Sequence, residues 1–169
     1  MHKVFLGIGG NIGDKLNNFQ KVQEMISRKL GKITAMSSIY ETPPWGFHSE
    51  NIFWNQVIII ETVLEPIELL WRIKEIEEAF GIKSGEARYT DRQMDIDLLY
   101  VDQEYFENKN LTIPHPRIHE RKFVLVPLAE VAPDFKHPLL RMTSLTMLEN
   151  CKDQSIIRKV EIPPELKSQ

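Results

Sequence analysis

The sequence predicts an α+β protein of ferredoxin-like type, an α/β sandwich with a largely antiparallel sheet and long mobile loops. Apolar runs typical of buried strands alternate with segments of helical periodicity, in the order β-α-β-β-α-β. Glycines and prolines separate these segments. With 169 residues, 42% apolar and 27% charged, we expect a single domain over 1–169 that ends in a polar tail at 150–169. Helices are expected to cover one face of the sheet.

The individual elements follow from hydrophobic periodicity and from the residues that interrupt it. Continuous apolar runs mark the strands, whereas apolar residues every three or four positions mark the helices. Proline opens the second helix at a tolerated position, and a glycine follows each of the first two. The predicted strands are 4–8, 35–41, 55–62 and 94–101, and the predicted helices are 17–30, 65–80 and 119–131.

Charge and cysteine content exclude several classes of function. The 21 basic and 24 acidic residues give a net charge of -3, whereas nucleic-acid-binding proteins normally show a basic excess. The single cysteine, Cys151, excludes an internal disulfide framework and is typical of a reducing compartment. No apolar run approaches the ~20 residues of a membrane-spanning helix, and the run at 4–8 is too short for a secretory signal. We therefore expect a cytoplasmic protein that binds neither nucleic acid nor membrane.

Two aspartates separated by one residue offer oxygen ligands for a metal ion. Strand geometry directs Asp95 and Asp97 to one face, with their Cα atoms roughly 6.5 Å apart. Their mutual repulsion favours a bound cation, and such ligands suit Mg²⁺ together with a phosphate-bearing substrate. Aspartates at a strand end that pair with Arg88 or Arg92 would give the same pattern. Spacing alone leaves both interpretations open.

Hydrogen-bond donors are concentrated between His115 and Lys122. Guanidinium groups match phosphate oxygens, and a histidine ring can donate to a phosphate from a fixed geometry. A position for His115 just before a helix would add the attraction of the helix dipole. A solvated helix start with pairs of charged side chains would have the same composition.

Prolines and aromatic residues alternate between Tyr40 and Asn55. Prolines stiffen this stretch, and Phe53 could enclose a flat heteroaromatic ligand together with a second ring such as Phe123. Asn55 offers both a donor and an acceptor for the edge of such a ligand. Core packing of the aromatic residues would explain the stretch equally well.

Ordered blocks of the sequence carry a resemblance to a known family. They are residues 6–14, 38–44, 53–55, 92–98, 113–117 and 121–128. Together they resemble 6-hydroxymethyl-7,8-dihydropterin pyrophosphokinases, enzymes of folate biosynthesis. The resemblance implies transfer of the β,γ-diphosphate of ATP to the hydroxymethyl group of a reduced pterin, which yields AMP and the pterin diphosphate. It also implies two Mg²⁺ ions, bound by Asp95 and Asp97.

The resemblance implies three overlapping sets of site residues. The implied catalytic residues are Arg92, Asp95, Asp97, His115 and Arg121. The implied pterin contacts are Phe53 and Phe123 on the two faces of the ring, with Thr42, Pro44, Trp45 and Asn55 at its edge. The implied nucleotide contacts are Glu77, Lys83, Arg92, the backbone of Leu98, Thr112, His115 and Arg121.

The sequence departs from the family pattern mainly in the loop after Gly81. The departures are Ile82 in place of a common arginine, with Lys83 and Arg88 as the nearest basic residues, Tyr89 in place of tryptophan, and Asn110 in place of a basic residue. We expect the loops 43–53 and 82–91 to be mobile without ligands and to close over bound substrates.

Two other functions fit parts of the pattern. A ferredoxin-like module that senses a nucleotide or a pterin without turnover would tolerate the missing arginines, but it gives no reason for the aspartate pair. A Mg²⁺-dependent nuclease or an RNA-binding domain could use the aspartates, but it would need a basic stripe. We favour the pyrophosphokinase, acting as a monomer on ATP and 6-hydroxymethyl-7,8-dihydropterin.

Overall fold

A six-stranded sheet is the framework of the computed structural model, which describes residues 1–42, 51–81 and 91–163. The strands among these residues are β1 His2–Gly10, β2 Lys32–Met36, β3 Tyr40–Thr42, β4 Phe53–Thr62, β5 Asp95–Val101, β6 Phe106–Glu107, β7 Thr112–Ile113 and β8 Arg158–Lys159. The sheet order is β5-β1-β4-β3-β8, with β2 also paired with β4, and β6 and β7 form a separate ribbon. These pairings are all antiparallel, which agrees with the prediction.

Four α-helices in the described ranges accompany the sheet: α1 Lys15–Lys29, α2 Pro66–Ala79, α3 Lys122–Val131, preceded by a 3-10 turn at Ile118–Glu120, and α4 Ser144–Asn150. The Asp14 carboxylate caps α1 by accepting the Asn17 N–H at 3.1 Å. α2 begins with proline and a capping box between Glu65 and Glu68, and it ends before Gly81, whose φ of +87° favours glycine. The first two predicted helices are confirmed. None of the helices in the described ranges is long and apolar enough to cross a lipid bilayer.

Helices cover both faces of the sheet, so the expectation of one covered face is wrong. Leu6 and Ile8 of β1 pack with α1 and α2, whereas Phe5 packs on the opposite face with α3 and α4. The apolar run of β4 alternates between the same two cores, with Ile58 on one side and Val57 on the other. A strand that is apolar on both faces needs cover on both, and α3 with α4 forms the second layer.

Three elements differ from their predicted bounds. The strand predicted at 35–41 is divided into β2 and β3, and between them Ser37 donates its N–H to the Val57 carbonyl and accepts the Val57 N–H at its Oγ. The helix predicted at 119–131 is divided at Arg121 into the 3-10 turn and α3. The polar tail contains β8, and α4 has no counterpart among the predicted elements.

Candidate active site

A row of residues crosses three strands near the C-terminal end of β1. In the strand register, Gly9 lies opposite Asn55 of β4 on one side and Asp95 of β5 on the other. Register partners on adjacent strands project to the same face. The backbones of Asn55 and Asp95 are therefore about 10 Å apart, two strand spacings, and the residue between them carries no side chain. Gly9 itself is buried, and the Asn55 side chain lies over it.

The neighbouring row repeats this arrangement and identifies the face. Gly7 lies opposite Val57 and Asp97, and Val57 belongs to the core beneath α3. Because residues two apart on a strand share a face, Asp95 and Asp97 both project to the α3 side. The shared face predicted for the two aspartates is confirmed.

Asn55 is held in place by a hydroxyl on the adjacent strand. Its Nδ2 donates to Oγ1 of Thr42 at 3.0 Å, and both residues are buried. Oδ1 of Asn55 lies over Gly9, in space that a larger residue would fill. Phe53, the register partner of Thr42, is half-buried on the same face. The predicted pterin contacts at these positions are thus neighbours.

The carboxylates of Glu77 and Asp95 lie close together at the start of β5. Nη1 of Arg92 lies 3.1 Å from Oδ1 of Asp95. Glu77 of α2 accepts the N–H of Ile96 at 2.9 Å, and its side chain also forms a hydrogen bond with Asp95. Burial raises the pKa of Glu77 to about 7, and Asp95 adds to this rise, which the Ile96 hydrogen bond and Arg92 only partly oppose. Asp97 follows two residues further along the same face of β5.

Asn11 joins separate segments beside these carboxylates. Its N–H donates to the Arg92 carbonyl and its Oδ1 accepts the Arg92 N–H, both at 2.9 Å. Its Nδ2 donates to the Asp91 carboxylate at 2.7 Å and to the Asn51 carbonyl at 3.2 Å. This buried side chain therefore joins Asn51, Asp91 and Arg92 to the end of β1. The sequence motif contains Asn11, but nothing in it predicts these bonds.

Two of the residues predicted to bind phosphate, His115 and Arg121, lie in the segment between β7 and α3. The His115 N–H donates to the carbonyl of Leu99 at 2.9 Å, which ties His115 to the strand of the two aspartates. Nδ1 of His115 accepts the Arg117 N–H at 3.2 Å. Arg121 is 4% exposed, and its guanidinium carbon lies 5.7 Å from the ring centroid of Phe123, a cation–π distance. Arg121 and Phe123 therefore form one unit at the start of α3.

A cavity of about 300 Å³ lies along the outer side of α2. Its lining residues are Leu70, Trp71, Lys74, Glu75, Glu78 and Asn110. Two predicted nucleotide contacts are close in sequence to this lining, Glu77 in the same helix and Thr112 in β7. The backbone of Leu98 shares one edge of β5 with that of Ile96, the edge that Glu77 contacts. No sequence pattern indicates Trp71 as a cavity residue, because an isolated exposed aromatic residue in a helix belongs to no motif.

Part of the predicted site lies outside the described residues. This holds for Pro44 and Trp45 of the pterin set and for Lys83 of the nucleotide set, together with Ile82, Arg88 and Tyr89. Of the two predicted loops, only 51–53 and residue 91 are described. The mobility and closure of these loops stay predictions.

The fold and this face define an α+β protein whose antiparallel sheet carries clustered carboxylates beside a buried amide. A family model described as 7,8-dihydro-6-hydroxymethylpterin-pyrophosphokinase (HPPK) matches residues 5–133. The chain belongs to the HPPK family. The resemblance found in the sequence blocks is thereby confirmed.

Several known proteins are similar to most of the chain. The 2-amino-4-hydroxy-6-hydroxymethyldihydropteridine pyrophosphokinase of Aquifex aeolicus is 37% identical over 141 residues, 83% of this chain and 87% of that protein. The protein of the same name from Bacillus subtilis is 38% identical over 128 residues, 75% of this chain and 76% of that protein. Folic acid synthesis protein FOL1 of Dictyostelium discoideum is 34% identical over 165 residues, 95% of this chain but 24% of that protein.

Solved structures share the fold at low sequence identity. Wild-type Plasmodium falciparum HPPK-DHPS with SDX-DHP matches with a TM-score of 0.72 and 18% identity, covering 89% of this chain and 43% of that chain. The same protein with pteroate matches with a TM-score of 0.74 and 18% identity, covering 88% and 42%. The chain thus spans less than half of these structures. The likeness confirms the predicted α+β fold class.

Proposed function

We propose that this protein transfers the diphosphate of ATP, as one unit, to the hydroxymethyl group of 6-hydroxymethyl-7,8-dihydropterin in folate biosynthesis. The products are AMP and the pterin diphosphate. Membership of the HPPK family and the names of the relatives support this reaction. The observation that carries the proposal is the projection of Asp95 and Asp97 from the sheet face that also holds Asn55.

The proposal includes two Mg²⁺ ions, with Asp95 and Asp97 as their protein ligands. The residues present fit such ions, because the donors are carboxylate oxygens that project from one face of the same strand. Gly7 and Gly9, the register partners of Asp97 and Asp95, contribute no side chains of their own to this face. When bound, Mg²⁺ supplies positive charge that neutralises and orients phosphate oxygens.

Phosphate binding is proposed for Arg92, His115 and Arg121. Arg92 is held at its backbone by Asn11 and at its guanidinium by Asp95, so it is already oriented before a ligand binds. Arg121 lies at the N-terminus of α3, where the helix dipole also favours negative charge. Transfer of a phosphoryl-type group requires in-line positioning and charge neutralisation more than a covalent contribution from the protein.

The pterin is proposed to lie on the α3 side of the sheet. Phe53 and Phe123 would stack on its two faces, which are the large apolar surfaces of the heterocycle. Thr42 and Asn55 would bind its polar edge, with Asn55 kept in one orientation by its hydrogen bond to Thr42. The proposed pocket is completed by the backbone of Pro44 and Trp45.

The nucleoside of ATP is proposed to lie between α2 and the edge of β5. The cavity of about 300 Å³ along α2 supports this placement, since Leu70 and Trp71 give it an apolar wall and Lys74 a cation. Its proposed contacts are Glu77, Lys83, the backbone of Leu98 and Thr112.

The proposal extends to the setting in which the protein works. We infer a single domain over 1–169 that acts in the cytoplasm as a monomer on small molecules, without nucleic acid or membrane. The net charge of -3 and the single cysteine support this setting. Size-exclusion chromatography with light scattering tests the monomer, and a stable dimer would contradict it.

The reaction is tested by incubating purified protein with ATP, 6-hydroxymethyl-7,8-dihydropterin and MgCl₂ and separating the adenine nucleotides. AMP is expected in equal amount to the pterin diphosphate. ADP as the product would contradict transfer of a diphosphate unit, and binding without any product would favour the sensing module. EDTA is expected to abolish AMP formation, and turnover in EDTA would contradict the Mg²⁺ requirement. Salt-sensitive retention of RNA would favour the nucleic-acid alternative.

A further inference from the structure

The C-terminal tail contacts α3 between two proposed site residues. Oδ2 of Asp153 accepts the backbone N–H of Lys122 at 3.1 Å. Lys122 is the first residue of α3 and stands between Arg121 and Phe123. Asp153 lies beyond residues 5–133, to which the family model extends, so the match itself says nothing about this contact.

The N-terminus of α3 lacks the usual local cap. Its N-cap residue is Arg121, whose side chain makes no capping hydrogen bond. The first N–H groups of a helix need acceptors from elsewhere, and cations such as Arg121 and Lys122 lie unfavourably at the positive end of the helix dipole. Asp153 answers both requirements, because it brings an acceptor oxygen and a negative charge.

Asp153 is itself held in one orientation. Ser155 donates its N–H at 2.9 Å and its hydroxyl at 2.6 Å to Oδ1, which leaves Oδ2 for Lys122. Burial by itself would raise the pKa of Asp153, but the hydrogen bonds from Ser155 and Lys122 lower it below its usual value. The carboxylate is therefore charged at neutral pH.

The tail then continues to the opposite side of the proposed pterin pocket. β8 pairs with β3, and the N–H of Val160 donates to the carbonyl of Ile39 at 2.8 Å. β3 ends at Thr42, which accepts the hydrogen bond from Asn55. Residues 151–160 therefore connect the start of α3 with the strand that orients the amide.

We propose that Asp153 is a positioning residue of the transfer site, which caps α3 and thereby holds Arg121 and Phe123 in the orientation that binds phosphate and pterin. This inference rests on the proposed function for the identity of the ligands. Asp153 contacts α3 and not the ligand. Its loss frays the first turn of the helix and weakens binding, while Asp95 and Asp97 on β5 stay in place.

Three variants of the full chain test this role. In Asp153→Ala the dissociation constant for the pterin is expected to rise roughly tenfold, the size of a lost cap. Asp153→Asn keeps one oxygen for the Lys122 N–H but directs an NH2 group toward Ser155, whose N–H then loses its acceptor, so an affinity between those of wild type and Asp153→Ala is expected. Glu149→Ala removes an exposed carboxylate near the end of α4 and should leave binding unchanged.

Further measurements separate positioning from folding and from the proposed reaction. Ser155→Ala removes the hydroxyl bond to Asp153 but keeps the backbone N–H bond, so a smaller loss of pterin affinity than in Asp153→Ala is expected, together with faster hydrogen exchange of the Lys122 amide. Unchanged pterin affinity in Asp153→Ala, or an equal loss in Glu149→Ala, would overturn the inference. A wild-type protein that forms no AMP would instead overturn the proposed function, because the pterin titrations require no turnover.

Discussion

A Cβ atom on Gly9 would lie 2.6 Å from Oδ1 of Asn55, a separation that real Cβ atoms do not reach. The absence of a side chain at Gly9 therefore determines where the Asn55 amide lies. Gly9→Ala is expected to displace this amide from Thr42, to lower the free energy of unfolding by about 1–3 kcal/mol and to raise the pterin dissociation constant about tenfold or more. Isothermal titration with the pterin, together with urea unfolding, measures both effects.

Gly7→Ala is the matched control for this substitution. Gly7 lies on the same strand face, but its Cβ would be 3.5 Å from Cδ1 of Leu99, an ordinary contact. The pterin dissociation constant should change by less than about threefold. Equal losses of affinity in the two variants would argue against a direct role for Asn55 in binding the pterin.

The outline of the fold is largely predictable because it depends on local periodicity. The strand at β5 and the shared face of Asp95 and Asp97 follow from an alternation within seven residues. The second helical layer follows less directly: the run Val57–Ile60 is apolar at every position, which is typical of a strand buried on both faces. α4 is a short helix without strong periodicity, so local sequence gives little signal for it.

The site is less predictable because it depends on strand register and on distant hydrogen bonds. Which residue of β4 lies opposite Gly9 is set by packing along the whole sheet, so the Asn55–Gly9–Asp95 row cannot be read from any one segment. The bonds of Asn11 join residues 40 and 80 or more positions away. The same is true of Asp153, whose partner Lys122 is 31 positions away.

Removal of Asp97 should abolish turnover while leaving the pterin pocket intact. Asp97→Ala takes away one of the two proposed ligands for Mg²⁺, so AMP formation is expected to fall by at least about 10²-fold. The pterin dissociation constant should stay within about threefold, since Asn55 and Thr42 are unchanged. Asp134→Ala, at an exposed aspartate outside the site, is the control for loss of one negative charge. Full activity in Asp97→Ala would remove the basis of the proposed reaction.

Asn11 should matter for stability and for the placement of Arg92. The side chain is 2% exposed and makes three hydrogen bonds through its amide, to Asn51, Asp91 and Arg92. Asn11→Ala is expected to lower the free energy of unfolding by about 2–3 kcal/mol, because it removes three hydrogen bonds that a buried amide makes. Turnover measured well below the melting temperature should also fall, since the Arg92 backbone loses its support.

Asn17→Ala provides the comparison for Asn11→Ala, because Asn17 is an exposed asparagine in the first turn of α1. Its effect on unfolding should be within about 0.5 kcal/mol. If both variants lose turnover in proportion to their stability alone, Asn11 has no role in positioning Arg92. Steady-state kinetics and urea unfolding at the same temperature distinguish the two cases.

Trp71 offers a test of where the nucleoside binds. Its side chain is 67% exposed, yet it lines the cavity along α2, where a base could stack on it. Trp71→Ala is expected to raise the dissociation constant for ATP about tenfold, the typical contribution of one stacked base, and Trp71→Phe should restore most of the affinity. Quenching of tryptophan fluorescence by ATP should be weaker in Trp71→Phe. Unchanged ATP affinity in Trp71→Ala would place the base elsewhere.

His2 should make the stability of the protein depend on pH at the end of β1 remote from the carboxylate cluster. Its Nδ1 lies 2.7 Å from Asp102 and its Nε2 lies 2.7 Å from Glu65. The hydrogen bonds to Asp102 and then to Glu65 raise the pKa of His2 above its usual 6.5, although burial opposes them. The folded protein therefore holds this proton more tightly than the unfolded chain does.

The sign of the effect follows from this difference in proton affinity. The stabilisation by His2 is fully present below pH 6.5 and is lost as the pH rises through the higher pKa of the folded state. The pKa of Asp102 is lowered. Burial alone would raise it, but the hydrogen bonds from His2 and from the Lys3 N–H outweigh the effect of burial. The stabilisation that Asp102 contributes is therefore lost only as the pH falls through this lowered pKa.

His2→Gln should thus lower the free energy of unfolding most near pH 5–6 and little at pH 9. The cost should stay below about 1 kcal/mol, because Glu65 is 67% exposed and Asp102 36%. Urea unfolding of wild type and His2→Gln at pH 5.5, 7 and 9 measures this loss of stability. Addition of 1 M NaCl should reduce the loss, because salt screens the charges. A loss that does not change with pH would show that the His2 proton contributes nothing.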